Sequence, residues 1–421
     1  MKDSGIEWIG EIPEDWDVIR LRYLCEIFTG NQDTQDNVSD GIYPFYVRSP
    51  IVEKSNKYTF EGPAILMAGD GVGAGKIFHY VDGKYGCHQR VYSLQHIHNV
   101  NRRYLYYYLQ NLFYISIETA NTKSTVDSVR LSMLQDFPIA MPTFEQQKIA
   151  DFLDCKCSEI DSVISKTKSS IEEYKKLKQS IITETVTGKV KIENGKVCGK
   201  YDTYKDSGVE WIGEIPSEWS VIRTKFISDS MSKGNGITKE QIVQNGDSPC
   251  VRYGEIYSKY NHSFSNCITK TNKSMYTNLQ YFSYGDILFA CTGELPEEIG
   301  KNIVYLGNED CLAGGDIIIM KHSQNPSFLN YVYNSYGQTQ KSLGKTKLKV
   351  VHISATEIAS IFVALPSLPE QQKIADFLDN KCSEIDSLIA KKEQLVVELE
   401  SYKKSLIYEV VTGKKERVGI Y

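Results

Sequence analysis

Apolar residues recur at helical spacing along two long stretches of the chain. From Glu145 to Thr187 the apolar positions are Ile149, Phe152, Leu153, Ile160, Ile164, Ile171, Tyr174 and Ile181, with Lys and Glu filling the faces between them. From Leu153 onward the step is close to 3.5 residues, the coiled-coil period. The second stretch repeats the pattern with Ile374, Phe377, Leu378, Ile385, Ile389, Val396, Leu399, Leu406 and Val410. Thr143-Phe144-Glu145-Gln146 offers a capping box just after Pro142, and Gly188 is placed to terminate the helix. About 43 residues at 1.5 Å each make a rod of roughly 65 Å. One apolar seam of that length needs a partner. The expected partner is the other copy, packed antiparallel about a pseudo-twofold axis through Ile160, Ile164, Ile171, Tyr174 and Ile181 on one side and Ile385, Ile389, Val396, Leu399 and Leu406 on the other. The plainer alternative is two independent helices, each docked on its own domain.

The stretches between these helices carry a different pattern. Short β-like runs stand at Ala64–Ala68, Ile77–Val81, Arg90–Leu94, Asp286–Ala290, Asn302–Tyr305 and Asp316–Met320, bounded by turn residues. Helical pieces are expected at Arg102–Phe113 and Ser327–Tyr336. The predicted fold class is therefore α+β: two mixed α/β domains separated by two long antiparallel coiled-coil helices, in an internal repeat.

The repeat is explicit in the residues. Asp3–Arg20 and Asp206–Arg223 are identical at fourteen of 18 positions, at an offset of 203. Glu145–Ser162 and Glu370–Ser387 differ only at Cys155/Asn380, at an offset of 225, and the second variable stretch is thus 22 residues longer. A period near 200 residues excludes a solenoid and indicates two copies of a whole domain with its connector. The boundaries read as 1–142, a first variable domain; 143–189, its long helix; 190–205, a polar linker; 206–368, a second variable domain; 369–414, its helix; and 415–421, a tail. Shared segments are expected to carry architecture, and divergent segments whatever distinguishes the two arms.

Composition narrows the chemistry. With 421 residues, 41% hydrophobic and 24% charged, the chain supports two or three globular domains. No apolar run reaches membrane-spanning length and no secretory leader is legible, so a cytoplasmic location and no membrane partner are expected. The ten cysteines form no Cys-x-x-Cys pair. Cys155 and Cys157 stand too close for a zinc knuckle, so free thiols and no metal are expected. A net charge of −5 weighs against a stand-alone nucleic-acid binder unless basic charge is local or a partner supplies it.

Catalytic patterns are absent. Gly69-Asp70-Gly71-Val72-Gly73-Ala74-Gly75-Lys76 has Asp70 where a Walker A loop needs glycine and Ile77 where it needs Ser or Thr. A β-like run follows it, not the helix a dinucleotide site requires, so a tight turn is the preferred reading. His96 and His98 could line one strand face, but no carboxylate or Cys set completes a metal site with them, and no amino-methyltransferase Asn/Asp-Pro-Pro-Tyr/Phe segment occurs. The chain itself is expected to catalyse nothing.

Basic and amide clusters are what remain. They are Arg48 after Tyr46-Val47, Lys76 closing the glycine run, His88-Gln89-Arg90, Lys123 in Asn121–Thr125, Lys233-Gly234-Asn235, Arg252-Tyr253, and Lys345, Lys347 and Lys349 beside Lys341. These side-chain types pair with base edges in the major groove and grip phosphates. Any single one of them is by default an idle solvated charge.

Taken together, the chain resembles the specificity subunits of type I restriction–modification enzymes. The resemblance rests on Trp8-Ile9-Gly10-Glu11-Ile12-Pro13-x-x-Trp16, its copy at Trp211–Trp219, and the Pro-x-x-Glu-Gln-x-x-Ile-Ala-x-x-Leu opening of the long helix at Pro142–Leu153 and, with the proline shifted, Pro366/Pro369–Leu378. It implies that each variable stretch is a target recognition domain reading half of a bipartite asymmetric site in double-stranded DNA. The paired helices would then set the spacing and dock two modification (methyltransferase) subunits. Restriction (endonuclease/translocase) subunits would complete the complex. S-adenosylmethionine, ATP and magnesium would belong to the partner subunits, with no cofactor on this chain. The rival readings are a two-armed adaptor for proteins, an enzyme with divergent motifs, and a silent specificity subunit used for recombination.

Overall fold

The computed structural model describes residues 1–120, 128–295, 298–345 and 351–415. It divides into two compact units, Met1–Ser169 with Lys392–Tyr421, and Ser170–Lys391. Each unit thus holds one variable domain, part of the helix that follows it, and part of the other long helix.

In the first unit, a four-stranded antiparallel sheet runs in the order Glu26–Thr29, Val91–Gln95, Ala64–Ala68, Phe78–Val81. Its strand Ala64–Ala68 is apolar and buried throughout, as a strand covered on both faces must be. A second sheet runs Glu53–Ser55, Tyr43–Tyr46, Lys84–Cys87, Phe60–Glu61, and its central pair is parallel. The helix Arg102–Ala120 follows, with Tyr104, Leu105, Tyr108, Leu112 and Phe113 in the core.

The second unit repeats this plan with almost unrelated residues. One sheet runs Ser228–Lys233, Ile317–His322, Ile287–Ala290, Asn302–Tyr305, with Ser263–Phe264 added in parallel at the edge. The other runs Thr269–Thr271, Ser248–Val251, Cys311–Ala313, Tyr281–Phe282, again with a parallel central pair. The extra length of this arm includes the short helix Tyr253–Ser258 and the added edge strand. Both lie between two strands that a short loop joins in the first unit. The single helix expected at Ser327–Tyr336 is two, Pro326–Tyr333 and Tyr336–Ser342, broken at Ser335, whose φ and ψ are both −114°. Each arm closes by pairing the strand that follows its Trp motif with its last strand: Asp17–Arg20 with Pro138–Met141, and Ser220–Arg223 with Phe362–Leu365.

The long helices are Gln146–Val186 and Leu368–Val411. The first begins three residues beyond Thr143, which is therefore not its cap; the Thr143 hydroxyl donates to the Asp15 carbonyl. In the first unit Leu153, Cys157, Ile160 and Ile164 share one core with Val396, Leu399, Leu406 and Val410. In the second unit Ile181, Ile182 and Val186 share a core with Ile374, Phe377, Leu378 and Cys382. Ile171 and Ile385 are buried, and Tyr174 and Ile389 half-buried. The direction is antiparallel. In the first unit Asp161 pairs with Lys403 while the later Lys168 pairs with the earlier Glu400. Cys157, Thr167 and Cys382 also sit buried along the helices, where the apolar pattern alone does not place them.

The stretch 190–205, expected to be a plain linker, contains a hairpin. Lys191–Glu193 pairs with Lys196–Gly199 across Asn194 and Gly195, both at positive φ. That is the type I′ turn that an Asn-Gly pair favours. Among the described residues no helix is long and apolar enough to cross a membrane.

Candidate nucleic-acid interface

The duplicated motifs build the joint between each arm and its helices. Asn101 caps the start of Arg102–Ala120 by accepting from the amides of Arg103 and Tyr104. Its own amide donates to Gln146 Oε1 at 2.6 Å, and its side-chain amide to Gln147 Oε1 at 2.6 Å. In the second unit Asn325 does the same with Gln371 (3.0 Å) and Gln372 (2.8 Å). Tyr107 donates to Asp154 at 2.6 Å, and Tyr331 to Asp379 at 2.8 Å. The Glu-Gln-Gln motif is thus a clamp that fixes the arm's helix on the rod.

The other shared motif closes the opposite side. Gly413 ends the second long helix at φ +69°, and a Cβ there would stand 2.4 Å from the Pro13 ring and 3.3 Å from Trp16. Gly188 ends the first at φ +69°, with Pro216 at 2.3 Å and Trp219 at 3.3 Å from the same imaginary atom. Each Ile-Pro-x-x-Trp segment therefore receives the end of one long helix, and only glycine fits there. In the first unit that helix is the one at the far end of the sequence.

The expected contact residues gather unevenly. In the first arm, Asp70 lies between two arginines: Arg48 Nη1 at 2.9 Å from Oδ1 and Arg90 Nε at 3.6 Å from Oδ2. The glycine run forms the turn beside them, with the Gly69 amide on the Arg90 carbonyl at 2.9 Å. Val72 projects from its tip, 97% exposed. Lys76 lies over the Tyr114 ring, 4.1 Å from its centre. Gln89 is exposed, whereas His88 is buried, its Nδ1 accepting from the Arg90 amide and its Nε2 standing 3.4 Å from Asp33. His88 thus props the turn from inside and does not present itself to a ligand.

In the second arm several candidates are engaged internally. Arg252 pairs with the buried Glu255 at 3.3 Å, and its amide donates to the same carboxylate. Lys345 donates to the His352 carbonyl at 2.7 Å and pairs with Glu357. Lys341 is fully buried: its ammonium reaches the Gly300 carbonyl at 2.6 Å and Asn302 Oδ1 at 2.9 Å, and burial pushes its pKa well down. It belongs to the core, not to a basic surface. Lys233 stays exposed, 3.6 Å from Asp316. Lys123, Lys347 and Lys349 lie outside the described residues. A cleft of about 470 Å³ is lined by Tyr253, Tyr257, Thr292, Glu294 and Glu298.

The strand ladders equate positions between the arms. Asp70 bridges Ser128 as Thr292 pairs with His352, and Val91 faces Ala68 as Ile317 faces Ala290. Asp316 therefore stands where the first arm has Arg90, and Thr292 where it has Asp70. The backbone is shared, and the side chains at the sheet end are not. Alignment of two divergent stretches could not have found this, because the equivalence lives in the pairing order. Among the described residues no group of three or more His, Cys, Asp or Glu side chains could hold a metal ion.

Fold and joints together define a class: a duplicated scaffold that presents two different surfaces from one repeated frame. The chain belongs to the type I restriction modification DNA specificity domain family, whose model matches residues 13–173 and again 216–398. The EcoDI type I restriction enzyme specificity subunit of Escherichia coli is 21% identical over 416 residues, spanning 96% of this chain and 90% of that one. The MjaVIII specificity subunit of Methanocaldococcus jannaschii is 26% identical over 429 residues, spanning 96% and 93%. A chain from a solved structure on complex assembly and conformational transition of the type I restriction–modification system shares the fold, with a TM-score of 0.70 at 14% identity over 96% of this chain and 100% of that chain.

Proposed function

We infer that this chain is the sequence-reading subunit of a type I restriction–modification complex. Each arm reads one half of a bipartite asymmetric site in duplex DNA, and the antiparallel helices fix the separation of the halves. The observation that carries this is the repetition of one strand order with exchanged side chains at the same sheet end. Two such heads on one frame read two unlike sequences at a fixed distance and phase. Linking them raises the effective concentration of the second head once the first is bound.

The partners follow from the symmetry of the exposed apolar residues. Tyr23 and Phe226 are exposed at equivalent positions, as are Val163 and Leu388, and Leu177 and Tyr402. Matching apolar residues repeated once per half suit two copies of one partner, here the modification subunit, with restriction subunits completing the assembly. S-adenosylmethionine, ATP and magnesium belong to those partners, and this chain supplies no catalytic group. Partner surfaces also contribute the positive field that a chain of net charge −5 lacks. The complex works in the cytoplasm.

Mapping methylated adenines in cells carrying this chain with its modification partner tests the reading. The expected result is one two-part motif with a fixed gap. A continuous motif, or no methylation dependent on this chain, contradicts it.

A further inference from the structure

We propose that Arg90 of the first arm, held with Arg48 on the shared carboxylate of Asp70, reads a guanine, and that the second arm contains no counterpart of this reader. The proposal rests on the assignment of the arms as DNA readers.

Arg90 Nε stands 3.6 Å from Asp70 Oδ2, an ion-pair distance, and the guanidinium carries two Nη groups that together can form a fork. Guanine offers O6 and N7 side by side in the major groove, and such a fork matches that pair of acceptors. The Arg90 side chain is 63% exposed, so the fork is open to a ligand. Its backbone is fixed from both directions: the amide donates to His88 Nδ1 at 3.0 Å, and the carbonyl accepts from Gly69 at 2.9 Å. Arg48, bound to the other oxygen of Asp70 at 2.9 Å, locks the carboxylate in place. A fixed backbone and a fixed counter-charge reduce the freedom the side chain must lose on binding.

Two arginines and one aspartate leave a single net positive charge, which would suit one phosphate as well, so the choice of a base over a phosphate is read from position-specific discrimination in the test below. The glycines make the close approach possible. A Cβ on Gly73 would stand 2.8 Å from the Arg48 carbonyl, and one on Gly69 3.0 Å from the Arg90 carbonyl. The exposed tip at Val72 shows that the turn projects beyond the sheet end.

The second arm replaces both the reader and its carboxylate. Asp316 stands in the place of Arg90 and pairs with Lys233, and Thr292 stands in the place of Asp70 and meets His352 Nδ1 at 3.3 Å. A carboxylate there accepts hydrogen bonds and cannot donate to guanine.

The test is selection of duplexes from a randomised pool by the complete complex, comparing the unaltered chain with Arg90→Lys and Asp70→Asn. Lysine keeps the charge and removes the fork. Arg90→Lys is expected to cut discrimination at one guanine of one half-site by about 10- to 100-fold. Asp70→Asn is expected to relax the same position less. The half-site of the second arm should persist in both variants and report an intact complex. An unchanged motif, uniform weakening at all positions, or loss of both half-sites together overturns the proposal. If the unaltered complex selects no two-part motif, the recognition reading itself has failed, and that result is distinct from a two-part motif that ignores Arg90.

Discussion

Lys178 grips both carboxylate oxygens of Asp386, at 2.7 and 2.6 Å, and 225 residues further along the sequence Lys403 grips Asp161 in the same way, at 2.7 and 2.6 Å. The roles of the helices are exchanged between the two pairs: the first helix gives the lysine in one and the aspartate in the other. Each unit thus carries the same lysine–aspartate pair with the parts of the two helices swapped, as an internal repeat with antiparallel helices requires. Because the carboxylates are largely exposed, each pair is worth at most about 1 kcal/mol. Reversing both lysines to glutamate should lower the thermal midpoint by a few degrees at low salt. Adding Asp161→Lys and Asp386→Lys should recover most of it. Thermal unfolding at two salt concentrations checks this. Failure of the rescue would mean that the lysine stems, not the charges, stabilise the seam.

The two terminal glycines give a sharper test. Gly413→Ala and Gly188→Ala combine a left-handed backbone with collision against a proline ring, whereas Gly195 has a similar φ of +70° and open space around it. Gly195→Ala should cost about 1 kcal/mol, the backbone term alone. The other two should cost several times more. Chemical denaturation of the three variants decides this, and equal losses would remove the proline contact from the account.

How much of this was legible in the residues differs element by element. The long helices were, because a seam of Ile and Leu at 3.5-residue steps has no other stable solution. Asn302–Tyr305 was, because Asn-Ile-Val-Tyr is a short apolar run between turns. The hairpin after Gly188 was missed, because the stretch reads as a linker: Asn194-Gly195 is a strong turn signal, but the polar composition around it masks the pattern. The burial of Lys341 was not legible. Nothing local marks it, because its partners Gly300 and Asn302 come from a distant strand and turn. Nor was the pairing of Asp70 with both Arg48 and Arg90, which three separate segments bring together.

The clamp at the arm–helix joint should be costly to break. Gln371 is fully buried and accepts from the Asn325 amide while its side-chain amide donates to Gln324 Oε1 and the Pro366 carbonyl. Gln371→Ala leaves these groups unpaired, at about 1–3 kcal/mol. Hydrogen exchange should show faster opening of Pro326–Tyr333 with little change in the first unit. Unchanged exchange there would contradict the clamp.

Acid should weaken the second unit. Burial pushes the pKa of His262 down to about 3 and that of His322 to about 4. Both are neutral when folded, while the unfolded chain takes up their protons near pH 6.5. Their contribution is therefore fully present above that pH and is lost progressively as pH falls from about 6.5 toward 4 and 3. Thermal midpoints between pH 7.5 and 5 should fall, and the slope should flatten in His262→Asn with His322→Asn. An identical slope in the double variant would refute the assignment.

Docking of two like partners predicts stoichiometry. Leu388→Glu or Val163→Glu alone should remove one modification subunit from the assembly, and the two together should remove both. Mass measurement of the reconstituted complex reads this directly. Loss of neither copy would show that these exposed residues are not the dock.

The central claim is that each arm is an independent reading head on a shared frame. Its most direct test exchanges residues 17–141, which lie between Trp16 and the long helix, for the corresponding stretch of another family member, followed by mapping of methylated adenines. The account predicts that one half-site changes completely while the other half-site and the gap stay as they were. A change in both half-sites, or in neither, would contradict it.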